Sequence, residues 1–276
     1  MRTHNIRISC LLLLVAVGCS RPHPVQADAR FIAHPDNPAR KVEFFLQQPA
    51  GVGPWPAVVL LHGHQDSPRT GALDFVKWRV LERFARRGYL AVAISQPGYG
   101  NSDGPPDFCG PVTQRAVSGV IEKLTQDRLL LPGKVVLEGI SRGALVAGLI
   151  ASRDASIKGI VLISGLYDLP AFTANANSIP SKMIARSLQE ETGGGLAALK
   201  ERSVLSFAGN IMAAALILNG ARDDRTDPAQ ARRLAAVIAE HGGSARAIIY
   251  SEFGHQIPVE VRDKDIDPFI DKILAH

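Results

Sequence analysis

The chain has 276 residues, of which 46% are hydrophobic and 21% are charged, and its formal net charge is +5. This length and balance predict one globular domain of about 250 residues that can bury a core without disulfide bonds. The basic residues form no long run, which argues against a nucleic-acid-binding protein, so no nucleic-acid partner is predicted.

The first 18 residues are predicted to be a signal peptide. Arg2 and Arg7 give it a positive start, no acidic residue precedes Asp28, and residues 8–17 form an apolar run. That run is shorter than the ~20 apolar residues of a membrane-spanning helix. Its length and flanks are typical of a secretory signal. A short membrane anchor or a misread start site is the alternative.

A lipidation site is predicted where this segment ends. Residues 15–19 resemble a bacterial lipobox, in which Cys19 is lipidated and becomes the new N-terminus, although Ala16 stands where Leu is commoner. Residues 19–38, rich in Pro and polar residues, are interpreted as a tether. Ser20 resembles the sorting pattern of outer-membrane lipoproteins in a Gram-negative cell. We therefore expect an exported protein that its lipid anchors to a membrane, facing the periplasm, without spanning it.

Residues 39–276 are predicted to form one domain in which strands and helices alternate. The first elements in chain order are strand 57–61, helix 73–87, strand 89–94, helix 112–130, strand 134–138, helix 144–152 and strand 157–163. Apolar runs supply the strands, and residues such as Phe75, Trp78 and Phe84 supply the apolar face of the first helix. This alternation predicts an α/β fold, a mostly parallel sheet with helices on both faces.

The regular alternation breaks after residue 163. Residues 166–212 mix polar and helical stretches with three glycines at 193–195, and we interpret them as a small cap inserted between two strands. The alternation then returns with strand 213–218, helix 228–241, strand 245–250 and helix 261–274. A cap of this size predicts a partly open site.

A candidate nucleophile lies between a predicted strand and a predicted helix. Residues 139–143 read Gly-Ile-Ser-Arg-Gly, the pattern of a nucleophile elbow, in which glycines make room for neighbouring backbone around a serine on a strained turn. Residues 100–104 repeat the pattern around Ser102, but two prolines follow, and these cannot open a buried helix. The context therefore favours Ser141 over Ser102.

The predicted base and acid lie towards the end of the chain. A serine hydroxyl is a weak nucleophile until a base takes its proton, and His255 follows the last predicted strand. A third group must orient the histidine, and Asp223 follows strand 213–218. Its neighbour Asp224 is an alternative, and a polar turn with Asx-type capping is another interpretation of the pair.

The order serine, aspartate, histidine is that of the α/β-hydrolases, and the chain resembles that superfamily over about residues 40–275. The matching motifs are Gly-x-x-Asp at 220–223 and Gly-His at 254–255. The resemblance implies the α/β-hydrolase fold and assigns the orienting acid to Asp223. Some members place the acid after the strand that ends at residue 163, so Asp168 is a third candidate.

An oxyanion at the serine requires two preorganised N–H donors. One is predicted to be the backbone N–H of Arg142, which follows the nucleophile. Residues 62–64 read His-Gly-His and resemble the oxyanion loop of the superfamily, which implies the backbone of His64 as the second donor. A metal pair of His62 and His64 is the alternative, but no third ligand is obvious.

The remaining motifs bear on the pocket and on cofactors. Residues 97–102 resemble a loop that borders the pocket in this superfamily, although Gln96 stands where Asp is usual. Cys109 is interpreted as an inert packing residue. Since no phosphate-binding, zinc or dinucleotide signature is present, no metal and no cofactor are predicted.

These residues imply acyl transfer to Ser141 and then to water. The subfamily resemblance is to dienelactone hydrolases and to prolyl oligopeptidase-like catalytic domains, the latter through residues 202–208. We expect an ester hydrolase acting on a small-molecule ester or short acyl substrate, because no propeller domain precedes the catalytic one and the His-Gly-His loop suits esterases. The alternatives are a small serine peptidase or amidase and, without catalysis, a lipid-anchored binding protein on a hydrolase scaffold.

Overall fold

An eight-stranded sheet forms the centre of the molecule in a computed structural model that describes residues 27–275. The strands are β1 (Ala29–His34), β2 (Asn37–Gln47), β3 (Trp55–Leu61), β4 (Leu90–Ile94), β5 (Leu130–Ile140), β6 (Ile157–Ile163), β7 (Ala214–Gly220) and β8 (Ala245–Tyr250). Their spatial order is β1-β2-β4-β3-β5-β6-β7-β8. β2 is antiparallel to β1 and β4, and all other neighbours are parallel. The predicted α/β-hydrolase fold is confirmed.

Helices cover both faces of the sheet. They are α1 (Leu73–Lys77), α2 (Val80–Arg86), α3 (Pro111–Gln126), α4 (Arg142–Ala151), α5 (Leu169–Ala174), α6 (Ile179–Thr192), α7 (Leu196–Glu201), α8 (Pro228–Glu240) and α9 (Val259–Leu274), with a 3₁₀ helix at Val204–Asn210. Val59 and Leu61 face the core beneath α3, α4 and α8, whereas Val58 and Leu60 face that beneath α1, α2 and α9. Burial on both faces explains why the central strands β3, β4 and β6 are mostly apolar. Among residues 27–275, no helix is both long and apolar enough to cross a membrane.

The helix predicted at 73–87 is wrong as one element, because it breaks into α1 and α2. Arg79 adopts the left-handed conformation with φ 59° between them. Phe75 and Phe84 are nine residues apart, about two and a half turns, so a continuous helix would point them in opposite directions. The break lets both rings reach the same core, where they are buried. Trp78, predicted on the apolar face, is 65% exposed at the break.

The helix predicted at 112–130 ends earlier, at Gln126. Arg128 has φ 56°, which a helix cannot continue through. Leu130 instead begins β5 and lies opposite Trp55 of β3. The apolar residues at the end of the predicted helix therefore belong to the sheet.

The tether predicted for residues 19–38 is also wrong over its second half. Ala29–His34 forms the edge strand β1 and pairs with β2, which begins at Asn37. His34 is buried, and its Nε2 lies 2.9 Å from the carbonyl oxygen of Val112 in α3. The pattern was missed because only one face of an edge strand is covered, which leaves a weak apolar signal. Cys19 and the predicted signal peptide lie outside the described residues.

The segment predicted as a cap connects β6 to β7 through α5, α6, α7 and the 3₁₀ helix. Leu188 of α6 and Leu199 of α7 are buried in the same apolar cluster as α4. Gly193 ends α6 with φ 75°, and Gly195 precedes α7. The glycine run therefore separates two helices that both pack into this cluster.

The strand order places a crevice at the carboxyl ends of the central strands. β3 lies between β4 and β5, so the chain leaves β3 towards one side and returns on the other. Ligand sites of open parallel sheets lie at such a switch point, outside the carboxyl ends. The loops after β3, β5, β7 and β8 all begin at this edge.

Candidate active site

Ser141 occupies the sharp turn between β5 and α4. Its φ is 54° and its ψ is −112°, a conformation that L-residues rarely adopt. The backbone N–H of Ser141 donates a 2.7 Å hydrogen bond to the carbonyl of Ile163 at the end of β6. Residues held in sparsely populated conformations are concentrated at functional sites.

The two glycines of the motif are required by close packing of the backbone. A Cβ atom at Gly139 would lie 2.2 Å from the carbonyl oxygen of Gly143. One at Gly143 would lie 2.1 Å from the carbonyl oxygen of Leu61 in β3. Helix α4 can start directly above the sheet only because neither residue has a side chain.

The imidazole of His255 lies between Ser141 and Asp223. Its Nε2 is 3.1 Å from Oγ of Ser141, and its Nδ1 is 3.0 Å from Oδ2 of Asp223. Since an ionised carboxylate can only accept, Nδ1 carries the proton and Nε2 is free to accept from the serine hydroxyl. The loops after β5, β7 and β8 thus bring together three residues separated by up to 114 positions.

The carboxylate of Asp223 is held by hydrogen bonds from several neighbouring residues. Its side chain is fully buried, and besides His255 it accepts hydrogen bonds from Asn219, Arg225 and Thr226. Burial alone would raise its pKa, but the hydrogen bonds from His255 and Thr226 lower the pKa below its usual value. Asp223 therefore stays ionised and can hold the imidazole in one tautomer.

The other acid and serine candidates are placed differently. Asp224 is exposed to solvent. Asp168 caps helix α5, accepting from the N–H of Ala171, and also pairs with Arg233. Ser102 is buried, where its hydroxyl donates to the carbonyl of Ser95. Only Asp223 of the three acid candidates lies against His255.

The loop after β3 passes directly beside the nucleophile. A Cβ atom at Gly63 would lie 3.3 Å from Cβ of Ser141. His62 anchors this loop: its Nδ1–H donates to the carbonyl of Gly63, and its Nε2 accepts from the N–H of Gln96. The Gln96 side chain in turn donates to the carbonyl of His62 at 2.6 Å.

These bonds decide between the two interpretations of His62. Burial lowers the pKa of His62 to about 4, so the ring is neutral. With one nitrogen protonated and the other accepting from backbone, His62 has no lone pair left for a metal ion. Within the described part of the chain, no group of three or more His, Cys, Asp or Glu residues is arranged around a possible metal.

Cys109 is buried next to the elbow, where its thiol donates to the carbonyl of Arg142. Burial raises the pKa of this thiol to about 12, so it is not a nucleophile at neutral pH.

Three contributors to the site were not predicted. Thr226 could have been found, because the side chain of Asp223 in an Asx-type turn accepts from the backbone of the residues that follow it, here Arg225 and Thr226. Gln96 was noted only as a departure from the family pattern. The ion pair between the Arg142 side chain and Glu191 of α6 has no local signal, since 49 positions separate the two residues.

Comparison with known proteins gives one family match and several likenesses. A profile described as "Alpha/beta hydrolase family" matches residues 58–249. The uncharacterized peptidase YuxL of Bacillus subtilis (strain 168) is 24% identical over 225 residues, covering 78% of this chain and 34% of that protein. The chain thus spans about a third of the length of this curated relative.

Solved structures share the fold at low identity. A puromycin-hydrolyzing peptidase of Mycobacterium tuberculosis superposes with a TM-score of 0.75 and 20% identity, over 90% of this chain and 40% of that one. An esterase of Pyrococcus furiosus superposes with a TM-score of 0.68 and 18% identity, over 90% of this chain and 91% of that one. Since the family profile covers more than half of the chain, from β3 to β8, this protein belongs to the alpha/beta hydrolase family.

Proposed function

We propose that this protein is a serine hydrolase that cleaves carboxylic esters through an acyl-enzyme on Ser141. The observation that carries the proposal is the continuous hydrogen-bonded path from Ser141 through His255 to Asp223, with heavy-atom distances of 3.1 and 3.0 Å. These distances are within the reach required of a nucleophile, its base and the group that orients the base.

The geometry supports a two-step acyl transfer. Ser141 Oγ attacks the ester carbonyl while His255 Nε2 takes its proton, and the alcohol leaves with that proton. Water then attacks the acyl-enzyme by the same route, which releases the acid and restores the hydroxyl. Asp223 stabilises the imidazolium that exists between these transfers.

The tetrahedral intermediates carry a negative oxygen that needs donors. The backbone N–H of Arg142 lies at the start of α4, where the first N–H groups have no partner within the helix. The loop of Gly63 and His64 adjoins Ser141 from β3. We propose the N–H groups of Arg142 and His64 as the two donors.

Cleavage of amides by a small peptidase is the second candidate. It is favoured by the sequence likeness to YuxL, over 34% of that protein, and by the structural likeness to the puromycin-hydrolyzing peptidase, over 40% of that chain. The ester proposal is favoured by the Pyrococcus furiosus esterase, which corresponds over 91% of its length. Aryl acetates and butyrates should therefore be compared with peptide anilides. Turnover of the esters without measurable turnover of the anilides supports the first candidate, whereas efficient turnover of the anilides would replace it with the second.

A fluorophosphonate probe tests the nucleophile directly. We expect the purified protein to be labelled and Ser141→Ala to be unlabelled, because the probe reacts only with an activated serine. Ser102→Ala is the matched control, and labelling should persist in it. A folded wild-type protein that resists the probe and turns over no ester or anilide would support the binding-protein alternative.

We also propose that the protein is exported and anchored by lipid on Cys19. The lipobox-like residues 15–19 support this proposal. Expression of the full chain in a Gram-negative host with labelled palmitate tests it, with Cys19→Ala as the control. Label and membrane association in the wild type alone are expected, and an unlabelled wild type would contradict the anchor.

A further inference from the structure

The side chain of Arg142 lies between the elbow and the cap. It is only 5% exposed, although it directly follows the nucleophile. Two of its nitrogens bind the two carboxylate oxygens of Glu191 near the end of α6, one of them at 3.0 Å. Glu191 also accepts from the backbone N–H of Phe108, whose ring centre is 4.4 Å from the guanidinium. A buried bidentate pair of this kind has a well-defined geometry.

The same guanidinium reaches the loop after β3. Its Nη1 donates to the hydroxyl of Tyr99 at 3.1 Å, and that hydroxyl is 3.0 Å from Nδ1 of His64. Because a guanidinium can only donate, the Tyr99 oxygen accepts from Arg142 and its proton is directed to Nδ1 of His64. Burial and the charge of Arg142 lower the pKa of His64, which agrees with a neutral ring that accepts at Nδ1.

This path joins the two proposed oxyanion donors. Arg142 supplies one from its own backbone. His64 supplies the other, and its ring is held through Tyr99 and by a longer contact of 3.4 Å between its Nδ1 and Nη1 of Arg142. Donors act on a developing oxyanion only when they are held at a fixed distance from each other before the reaction starts. A hydroxyl bridge between the two residues provides such a constraint.

We propose that the guanidinium of Arg142 is a positioning group that fixes the two oxyanion donors relative to each other, with Glu191 of the cap as its anchor. The inference rests on the proposed function. It makes the cap helix α6 part of the catalytic arrangement, in addition to covering the sheet.

A buried ion pair that only attaches the cap is the competing explanation. Tyr99→Phe separates the two, since it deletes the bridging hydroxyl and leaves the pair of Arg142 and Glu191 intact. Because the pair stays intact in this variant, a purely structural role predicts an unchanged kcat. A positioning role predicts a lower kcat and weaker binding of a transition-state analogue, with KM little changed.

The experiment measures kcat and KM for an aryl ester, together with the Kd of an aryl trifluoromethyl ketone, which forms a tetrahedral adduct with an active serine. We expect Tyr99→Phe to lower kcat about tenfold or more and to leave KM within about twofold. The ketone should bind more weakly by a similar factor. Tyr250→Phe is the matched control, because its hydroxyl donates to Asp265 in α9 and not to Arg142 or His64; it should leave all three values unchanged.

Glu191→Gln provides a second variant, because it removes the charge of the anchor while keeping its shape. It should lower both kcat and the affinity for the ketone, as Tyr99→Phe does. Folded Tyr99→Phe and Glu191→Gln with wild-type kcat and ketone affinity would overturn the inference while leaving the proposed function intact. A wild type that turns over neither esters nor anilides would overturn both.

Discussion

Asp223 and Asp224 are neighbours in the chain, yet their surroundings are opposite. The carboxylate of Asp223 is fully buried and hydrogen-bonded to His255, whereas Asp224 faces solvent. At the scale of single residues, the function of a side chain here follows from its partners, and residue type alone does not distinguish the two.

Asp223→Asn should therefore lower kcat by about four orders of magnitude, because the amide no longer holds the productive tautomer of His255. Asp224→Asn, the matched control, should leave kcat nearly unchanged. Steady-state kinetics on an aryl ester, with a circular dichroism spectrum of each variant, measures this. If Asp224→Asn were the damaging change, the assignment of the acid would be wrong.

The strained backbone of Ser141 leads to a prediction on stability. With φ at 54°, any side chain at this position costs about 1–2 kcal/mol relative to a favourable conformation. Ser141→Gly should unfold with a free energy about 1 kcal/mol higher than Ser141→Ala, and both should be inactive. Urea denaturation compares the two variants; equal stability would show that the elbow stores no strain.

At the scale of elements, the break between α1 and α2 shows how packing overrides a local pattern. Residues 73–87 have enough apolar positions for one helix, but Phe75 and Phe84 would face opposite ways in it. Arg79 accepts a left-handed conformation so that both rings can be buried. The element is thus divided because burying two aromatic rings outweighs the strain at one residue.

Phe84→Ala should therefore destabilise the protein by about 3–5 kcal/mol, because it leaves a cavity in a core where the ring is fully buried. Trp78→Ala, which removes a larger but mostly exposed ring, should cost less than about 1 kcal/mol. Chemical denaturation of both variants measures the difference. A larger loss for Trp78→Ala would favour the continuous helix.

At the scale of the whole molecule, a buried glutamate of the sheet lies within the electrostatic influence of arginines on two helices. Glu138 of β5 is buried. Within the described residues, its Oε2 accepts no hydrogen bond, and Nε of Arg262 in α9 likewise donates none. Burial raises the pKa of Glu138 from 4.5 to about 7, against the opposing charges of Arg262 and Arg83. The folded state therefore binds this proton more tightly than the unfolded state does.

The stability provided by protonated Glu138 is complete below about pH 4.5 and is lost as the pH rises through about 7. The loss is about 3 kcal/mol. Glu138→Gln keeps a neutral side chain of the same shape, so its stability relative to the wild type should increase between pH 5 and pH 8. Urea denaturation at pH 5 and at pH 8 measures the difference in unfolding free energy between variant and wild type. A difference that does not change with pH would contradict a buried, protonated Glu138.

Much of the fold and of the candidate site could be predicted because the signals are local. Apolar runs and helical periodicity indicated most strands and helices, and the glycines around Ser141 indicated a turn that needs them at both positions. His255 followed from its place after the last strand. The edge strand β1 was missed, since one covered face leaves too weak an apolar pattern.

The sequence by itself thus determined the order of the elements and the residue types available for catalysis, because hydrophobic periodicity and turn chemistry act over a few residues. The tertiary structure decided which of three aspartates meets His255, where the helix at 73–87 divides, and that Arg142 pairs with Glu191. These are contacts between residues 32 and 49 positions apart, or the outcome of fitting two rings into one core. Such contacts depend on how β5, β7, β8 and α6 pack together, and no local pattern in the chain encodes that arrangement.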